Sequence, residues 1–159
     1  MAKNIKVELN SIRLEESSDT PVLLLLDPST NKVLPIWIGT IEAVSIAYAQ
    51  EGILHERPQT HDLLINIIEA MECSIQEVNI SDIKDNTYFA NIVLTTSNGN
   101  VTLSSRPSYA IAIALRSKIN VTVNQDVFIN NSIDILYENI DEIEEFKNFI
   151  DTIKPEDFT

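Results

Sequence analysis

The order of apolar patterns is the feature that most constrains the fold, because three strand-like segments followed by a helix-like segment occur twice along the chain. In the first copy, residues 5–14 alternate between apolar and polar side chains, which is typical of a half-buried strand. The aliphatic run 21–27 predicts a buried strand that ends in a turn, and residues 33–38 predict a third strand. Residues 41–50 then have apolar side chains at helical spacing, and Gly52 is expected to end that helix.

The second copy repeats this order. Residues 74–83 and 87–96 predict two strands, Asn98-Gly99 is a hairpin turn signal, residues 100–104 predict a third strand and residues 107–116 a helix. We interpret the two copies as a degenerate β-β-β-α duplication. The fold class that follows is α+β, a largely antiparallel sheet with helices packed on it.

Three further segments complete the secondary-structure prediction. A helix at 60–72 lies between the two copies, with Thr60 as its N-cap. Residues 121–123 predict a short strand, and a polar, Asn-rich stretch follows it. Residues 141–153 predict an amphipathic helix, with apolar side chains on one side and acids on the other.

The charge of the chain is strongly negative and uneven. The net charge is −13 over 159 residues, a length typical of one domain, and nonspecific nucleic-acid binders usually carry a basic surface instead. Residues 134–159 hold nine acids and two lysines, about half of the net charge. We predict one domain at 1–133 and an acidic, helical C-terminal extension at 134–159.

Cysteine usage and hydropathy bear on the compartment. The lone Cys73 cannot form an internal disulfide, no apolar run is long enough to span a bilayer, and the N-terminus lacks the apolar segment of a secretory signal. These features predict a soluble cytoplasmic protein without a membrane partner. Trp37 and Tyr48 are expected to pack in the core or in an oligomer contact.

Two Arg-Pro dipeptides, Arg57-Pro58 and Arg106-Pro107, each precede a helix-like segment. Proline restricts the residue before it to extended conformations and is well suited to the first helical turn. The pattern predicts two guanidinium groups at two helix N-termini, an arrangement that binds anions such as phosphate. Salt bridges within this acidic chain are the alternative role of both arginines. Arg116 and Lys118, at the C-terminal end of the helix predicted at 107–116, could complement its helix dipole.

Three polar residues are candidates for chemistry. Asp62 could bind a divalent cation and His61 could transfer protons, although an acid in a first helical turn also stabilises the helix dipole and a histidine there can simply form a hydrogen bond. Glu42 interrupts an otherwise apolar helix face, which makes it the third candidate for a functional carboxylate. The equally weighted alternative is that Glu42 is simply an exposed acid near a helix N-terminus. In the duplication, Glu42 aligns with Tyr109.

Several of these residues fall in blocks that resemble the bifunctional nuclease family. The resemblance covers roughly residues 5–130 and rests on three blocks in the right order, namely Leu34-Pro35-Ile36-Trp37-Ile38-Gly39 with Glu42-Ala43, Arg57-Pro58-x-Thr60-His61-Asp62-Leu63, and Arg106-Pro107-Ser108-x-Ala110-Ile111-Ala112. One position departs from the family, whose third block usually reads Arg-Pro-Ser-Asp, because this chain has Tyr109 there.

The resemblance implies hydrolysis of phosphodiester bonds in RNA or DNA with the help of Mg²⁺ or Mn²⁺. It implies that Glu42 and Asp62 bind the cation and act in catalysis with His61, and that the substrate contacts Arg57, Thr60, Arg106 and Ser108. A homo-oligomer, preferably a dimer, is also expected. Two alternatives stay open, a phosphate- or nucleotide-binding regulatory module that has lost turnover through Tyr109, and a structural homo-oligomer whose small-residue helices form the interface.

Overall fold

The computed structural model of the chain describes residues 3–15 and 17–135. This part of the chain has eight strands and four helices. In chain order they are β1 (Asn4–Leu14), β2 (Pro21–Asp27), β3 (Lys32–Trp37), α1 (Thr40–Gln50), α2 (Thr60–Ala70), β4 (Ser74–Lys84), β5 (Thr87–Thr96), β6 (Gly99–Ser105), α3 (Pro107–Ser117), β7 (Val121–Asn124), α4 (Gln125–Asn131) and β8 (Ile133–Asp134).

All eight strands form one sheet, in the order β6-β5-β4-β7-β1-β2-β3-β8. Each copy of the repeated pattern contributes an antiparallel three-stranded meander, β1-β2-β3 or β4-β5-β6. Between the two meanders lies β7, which pairs parallel to β4 and antiparallel to β1. The predicted α+β fold and the repeated element order are confirmed, while a common origin of the two copies stays a prediction.

The hairpin predicted after residue 96 is confirmed, but two predicted positions are off by one residue, and one helix was not predicted. The N-cap of α2 is Gln59, whose side chain and that of Asp62 form a reciprocal capping box, so Thr60 is the first helical residue. The β5-β6 turn consists of Ser97 and Asn98, and Gly99, with φ of 107°, opens β6. The Asn-rich stretch after β7 contains α4, because the Asn124 side chain accepts hydrogen bonds from the first backbone N–H groups of that helix.

The main hydrophobic core lies between the sheet and its helices. Helix α1 packs on β2 and on α3, α3 also packs on β4 and β5, and Val127 and Phe128 of α4 join the same core. Alanines make up the small-residue faces of α1 and α3, and they are buried within the single chain: Ala43, Ala47, Ala110, Ala112 and Ala114. The proposed use of these faces as an oligomer interface is therefore wrong.

Helix α2 differs from α1 and α3 because it buries only His61. It leaves apolar side chains exposed along one side, among them Leu63, Ile67 and Met71. An oligomer contact by this helix would cover them, and the homo-oligomer itself stays a prediction.

Two other sequence predictions concern the C-terminal segment and the membrane. The amphipathic helix predicted at 141–153 lies outside the described residues, as does most of the acidic extension, whose first residue, Asp134, pairs with Lys32 in the sheet. Among the described helices, none combines the length and hydropathy that crossing a bilayer requires.

The close packing of α3 predicts that Ala114→Leu destabilises the protein. Ala114 is fully buried, so the added carbon atoms have no space, and such overpacking costs about 1–3 kcal/mol. Ala70→Leu, at the exposed end of α2, is the matched control and should change the free energy of unfolding by less than about 0.5 kcal/mol. Urea unfolding of both variants measures the difference, and equal stabilities would contradict the packing described.

Candidate functional site

A cavity of about 530 Å³ lies where α1 and α3 begin. Its walls come from the β3-α1 junction, the β6-α3 junction and the β4-β5 turn. The lining residues are Ile36, Trp37, Ile38, Gly39, Glu42, Asn86, Thr87, Tyr88, Arg106, Pro107 and Ser108. Three predicted site residues, Glu42, Arg106 and Ser108, therefore share one cavity.

Glu42 reaches the cavity from the first turn of α1, directly after the N-cap residue Gly39. A Cβ atom at position 39 would overlap Oε2 of Glu42. Gly39 has an extended φ of −73°, so what it provides is space and not an unusual backbone conformation. The missing side chain lets the Glu42 carboxylate fold back over the start of the helix.

Arg106 occupies the equivalent place at the start of α3. It is the N-cap residue, and Pro107 follows in the first helical turn, as the Arg-Pro pattern predicts. Its guanidinium carbon lies 5.6 Å from the centre of the Tyr109 ring, which is within cation–π range. Tyr109 stands three residues after its N-cap, as Glu42 does in α1, so the sequence alignment of the two positions agrees with the fold.

Arg57 is placed differently from its predicted counterpart. Pro58 precedes the N-cap Gln59, so this proline lies before α2 and not in its first turn, and Arg57 lies in the exposed loop between α1 and α2. The prediction of a guanidinium at the start of α2 is wrong for this reason. Arg57 and Thr60 are both exposed, and neither lines the cavity.

A second group of polar residues joins the three helices through Arg116 of α3. Its Nε donates to Oδ1 of Asp62 in α2 at 2.8 Å, and its Nη2 donates to the backbone carbonyl and the hydroxyl of Ser45 in α1 at 3.2 and 3.1 Å. Nη1 donates to the Ala112 carbonyl within α3 at 3.1 Å. The guanidinium therefore contacts every helix that borders this group.

His61 completes the group. Its Nδ1 lies 2.9 Å from Oγ of Ser45, and its ring centre lies 5.9 Å from that of Tyr109. The Ser45 hydroxyl oxygen also accepts from Arg116, so this hydroxyl links the His61 imidazole to the guanidinium. Burial and the charge of Arg116 lower the pKa of His61, against the opposing charges of Asp62 and Glu42.

Asp62 has both carboxylate oxygens engaged. While Oδ1 accepts from Arg116, Oδ2 accepts from the backbone N–H of Gln59 at 3.0 Å. Burial alone would raise the pKa of Asp62, but these hydrogen bonds outweigh it and hold the pKa below its ordinary value. The carboxylate is therefore charged at neutral pH and fixes the start of α2.

The structure thus divides the predicted site into a cavity and an adjacent buried group. Sequence reasoning missed Ser45 and assigned Arg116 only a possible helix-dipole role, although Arg116 lies 54 residues from its carboxylate partner. Trp37, expected to pack in the core or an oligomer contact, is 54% exposed and borders the cavity. Within the described residues, no three His, Cys, Asp or Glu side chains are grouped as metal ligands.

The lowered pKa of His61 predicts a loss of stability on mild acidification. The unfolded chain takes up a proton near pH 6.5 and the folded chain only at lower pH, so the free energy of unfolding falls as the pH drops from about 6.5 toward the folded-state pKa. Asp27 and Asp62 also have lowered pKa values, from an ordinary 3.8, so they titrate below this window.

Urea unfolding at pH 7.5 and pH 5 measures this effect. His61→Gln should remove the pH dependence in that window, and His55→Gln, which changes the exposed histidine, should keep it. A pH dependence that survives in His61→Gln would contradict the buried, neutral imidazole.

Comparison with known proteins adds the family. The family model described as "Bifunctional nuclease domain" matches residues 23–135. A protein of Mycobacterium tuberculosis, described as uncharacterized, is 37% identical over 162 residues, which cover 96% of this chain and 97% of that protein.

Plant proteins are more distant relatives. "Bifunctional nuclease 1" of Oryza sativa subsp. indica is 23% identical over 141 residues, and "Bifunctional nuclease 1" of Arabidopsis thaliana is 26% identical over 107 residues. The aligned parts cover 43% and 33% of those two proteins, so this chain corresponds to less than half of either. Since the family model spans most of the chain and includes both the cavity and the buried polar group, the chain belongs to the bifunctional nuclease domain family.

Proposed function

We propose that this protein is a nuclease that hydrolyses phosphodiester bonds of RNA or DNA in the cavity between α1 and α3. The observation that carries the proposal is the presence of the Arg106 guanidinium and the Glu42 carboxylate in one cavity. A fixed cation binds phosphate, and a carboxylate accepts a proton, which are the two properties that hydrolysis of a phosphate ester needs. The family of the chain supports the same reaction class.

In this proposal, Arg106 binds the scissile phosphate, and Ser108 in the first turn of α3 lies beside it in the cavity. Arg106 offsets the negative charge that grows on the phosphate oxygens as water attacks phosphorus. Glu42 accepts a proton from the attacking water as the water oxygen bonds to phosphorus. The bond from phosphorus to the leaving oxygen then breaks, and the leaving oxygen takes a proton from solvent water. Arg57 and Thr60, exposed beside the start of α2, contact parts of a longer substrate outside the cavity.

We also propose that Mg²⁺ or Mn²⁺ assists the reaction. Glu42 fits such a cation, because Mg²⁺ is usually held by one or two carboxylates together with substrate phosphates and water. Asp62 fits less well than its sequence position suggests, since Arg116 and the Gln59 backbone occupy its two oxygens. When bound, the cation would neutralise charge on the phosphate.

In the proposal, His61 and Asp62 support the cavity from the adjacent buried polar group. Burial and Arg116 lower the pKa of His61, whereas Asp62 and Glu42 act in the opposite direction, so the imidazole is influenced by the cavity acid as well as by the α2 acid. Because its pKa is lowered, the imidazole is neutral near pH 7 and takes up a proton only at lower pH, so in the proposal it supports the site through its contact with Ser45 more than as the main base. Asp62 positions His61 by holding the first turn of α2 against Arg116.

Cleavage by purified protein tests the function. Wild-type protein should cut RNA or DNA in the presence of Mg²⁺ or Mn²⁺, and Glu42→Gln, which keeps the shape and removes the base, should lower the rate by about 100-fold or more. Glu69→Gln, an exposed acid on α2, is the matched control and should cleave at the wild-type rate. Equal rates in both variants would show that Glu42 is not part of the reaction.

Salt dependence of binding tests Arg106. Arg106→Ala should weaken binding of a single-stranded oligonucleotide and lower the slope of log affinity against log salt by about 0.7, the value for one lost phosphate contact. Arg57→Ala should leave the binding of a nucleoside monophosphate unchanged, because Arg57 lies outside the cavity. An unchanged slope in Arg106→Ala would assign this arginine to its cation–π contact with Tyr109 instead.

Tyr109 supports a second candidate function, a phosphate- or nucleotide-binding module without turnover. A phenol is a weaker ligand for a divalent cation than the carboxylate that the family motif usually has at this position. In that case, the wild-type protein binds nucleotides through Arg106 but does not cleave. The cleavage assay and the binding assay, run on the same preparation, distinguish the two functions.

A further inference from the structure

We propose that the cavity holds one unpaired nucleotide of a single strand, with its base stacked on Trp37 and its phosphate at Arg106. The proposal rests on the proposed nucleic-acid substrate and adds the form of that substrate. Its observations are the exposure and anchoring of the Trp37 indole, the aromatic and polar residues that line the same cavity, and the volume of the cavity.

The Trp37 indole is exposed yet held in place. Its side chain is 54% exposed at the end of β3, and its Nε1–H donates to Oε2 of Glu15 at 2.9 Å. Glu15 directly follows β1, so the bond ties the indole to a neighbouring part of the sheet. An exposed ring with one fixed orientation presents a flat apolar surface, which is what a stacking base requires.

The lining residues from the β4-β5 turn combine an aromatic ring with polar groups. Tyr88, half-buried at the start of β5, has a pKa raised by burial, so its phenol stays protonated as a hydrogen-bond donor. Asn86 and Thr87 lie at the β4-β5 turn, where Asp85 and Asn86 both have positive φ. Amide, hydroxyl and phenol groups can bond to base edges as donors and acceptors.

The size and charge of the cavity fit a single nucleotide. A volume of about 530 Å³ lies within the range of about 300–1,000 Å³ for small-ligand sites. Of the described residues that line it, Arg106 is the single cation and Glu42 the single acid, so one phosphate is matched by one guanidinium. The remaining affinity then comes from stacking and from contacts to the base.

A base within a duplex cannot use such a site. Its faces are covered by its neighbours and its edge is paired, so it must leave the helix before it can stack on a protein side chain. Unpaired bases expose both faces and their edges, and aromatic side chains bind them with little dependence on sequence. We therefore expect single strands to bind and duplexes of the same sequence to bind much more weakly.

Fluorescence gives a direct readout, because Trp37 is the only tryptophan in the chain. A nucleoside 5′-monophosphate and a short single-stranded oligonucleotide should both quench its emission. Ribose 5-phosphate, which has the phosphate but no base, should not quench it, and neither should a blunt duplex at the same nucleotide concentration. Inclusion of a chelator excludes cleavage during the titration.

Variants test the stacking contact by anisotropy of a labelled oligonucleotide. Trp37→Ala should weaken single-strand binding by about 5- to 140-fold, the range expected for loss of one stacked base, and Trp37→Phe should restore part of it. Phe89→Ala is the matched control, since Phe89 is an exposed aromatic residue on β5 that does not line the cavity. Circular dichroism verifies that each variant is folded.

The outcomes separate this inference from the proposed function. Equal quenching by ribose 5-phosphate and by the nucleotide, or equal losses in Trp37→Ala and Phe89→Ala, would overturn the stacking site even if cleavage occurs. Equal binding of duplex and single strand would overturn the preference for unpaired bases. Quenching by nucleotides without any cleavage would support the stacking site and reject the nuclease.

Discussion

The placement of the helices around the site depends on the buried guanidinium of Arg116. Its side chain is 10% exposed, and burial of a charge in a protein costs several kcal/mol unless hydrogen bonds compensate it. Compensation comes from the Asp62 carboxylate in α2, the hydroxyl and carbonyl of Ser45 in α1, and the Ala112 carbonyl in α3. Since α2 buries only His61, these polar bonds, more than apolar packing, determine where that helix begins.

The two copies of the β-β-β-α pattern make different contributions to one cavity. Each brings the start of its helix to the wall, with Gly39 or Arg106 as N-cap and Glu42 or Tyr109 three residues later. The first copy therefore contributes a carboxylate and the second a guanidinium. The Tyr109 ring lies close to both Arg106 and His61.

Local pattern accounts for most of what could be predicted from the sequence. Strand β2 was predicted from an unbroken aliphatic run, and helix α1 from apolar side chains at helical spacing. Both patterns involve only residues that are close together in the sequence. Arg116 could not be assigned in this way, because its partner lies 54 residues away and only the packing of α2 on α3 brings them together. Its position near a helix C-terminus suggested a dipole role, which needs no distant partner.

Trp37 is a second residue whose surroundings could not be predicted from local pattern. A tryptophan is usually well buried, so a position in the core or in an oligomer contact was expected. Strand β3 ends at Trp37, however, and the ring is exposed with its N–H on Glu15. Burial depends on what the fold places over a residue. The sequence of this segment predicts a strand, but it does not predict which side of the sheet the other elements cover.

The acidity of the chain finally bears on how it would bind a polyanion. Proteins that bind nucleic acids mainly through phosphates need many cations, and a net charge of −13 opposes that mode. About half of this charge comes from residues 134–159, whereas among the lining residues of the cavity one cation faces one acid. A site of this kind gains little from long-range attraction, so its affinity must come from short-range contacts. Stacking on an anchored indole and one charge-assisted bond to phosphate are contacts of that type. Both act only at short distance, where they must outweigh the repulsion between the acidic protein and the polyanion.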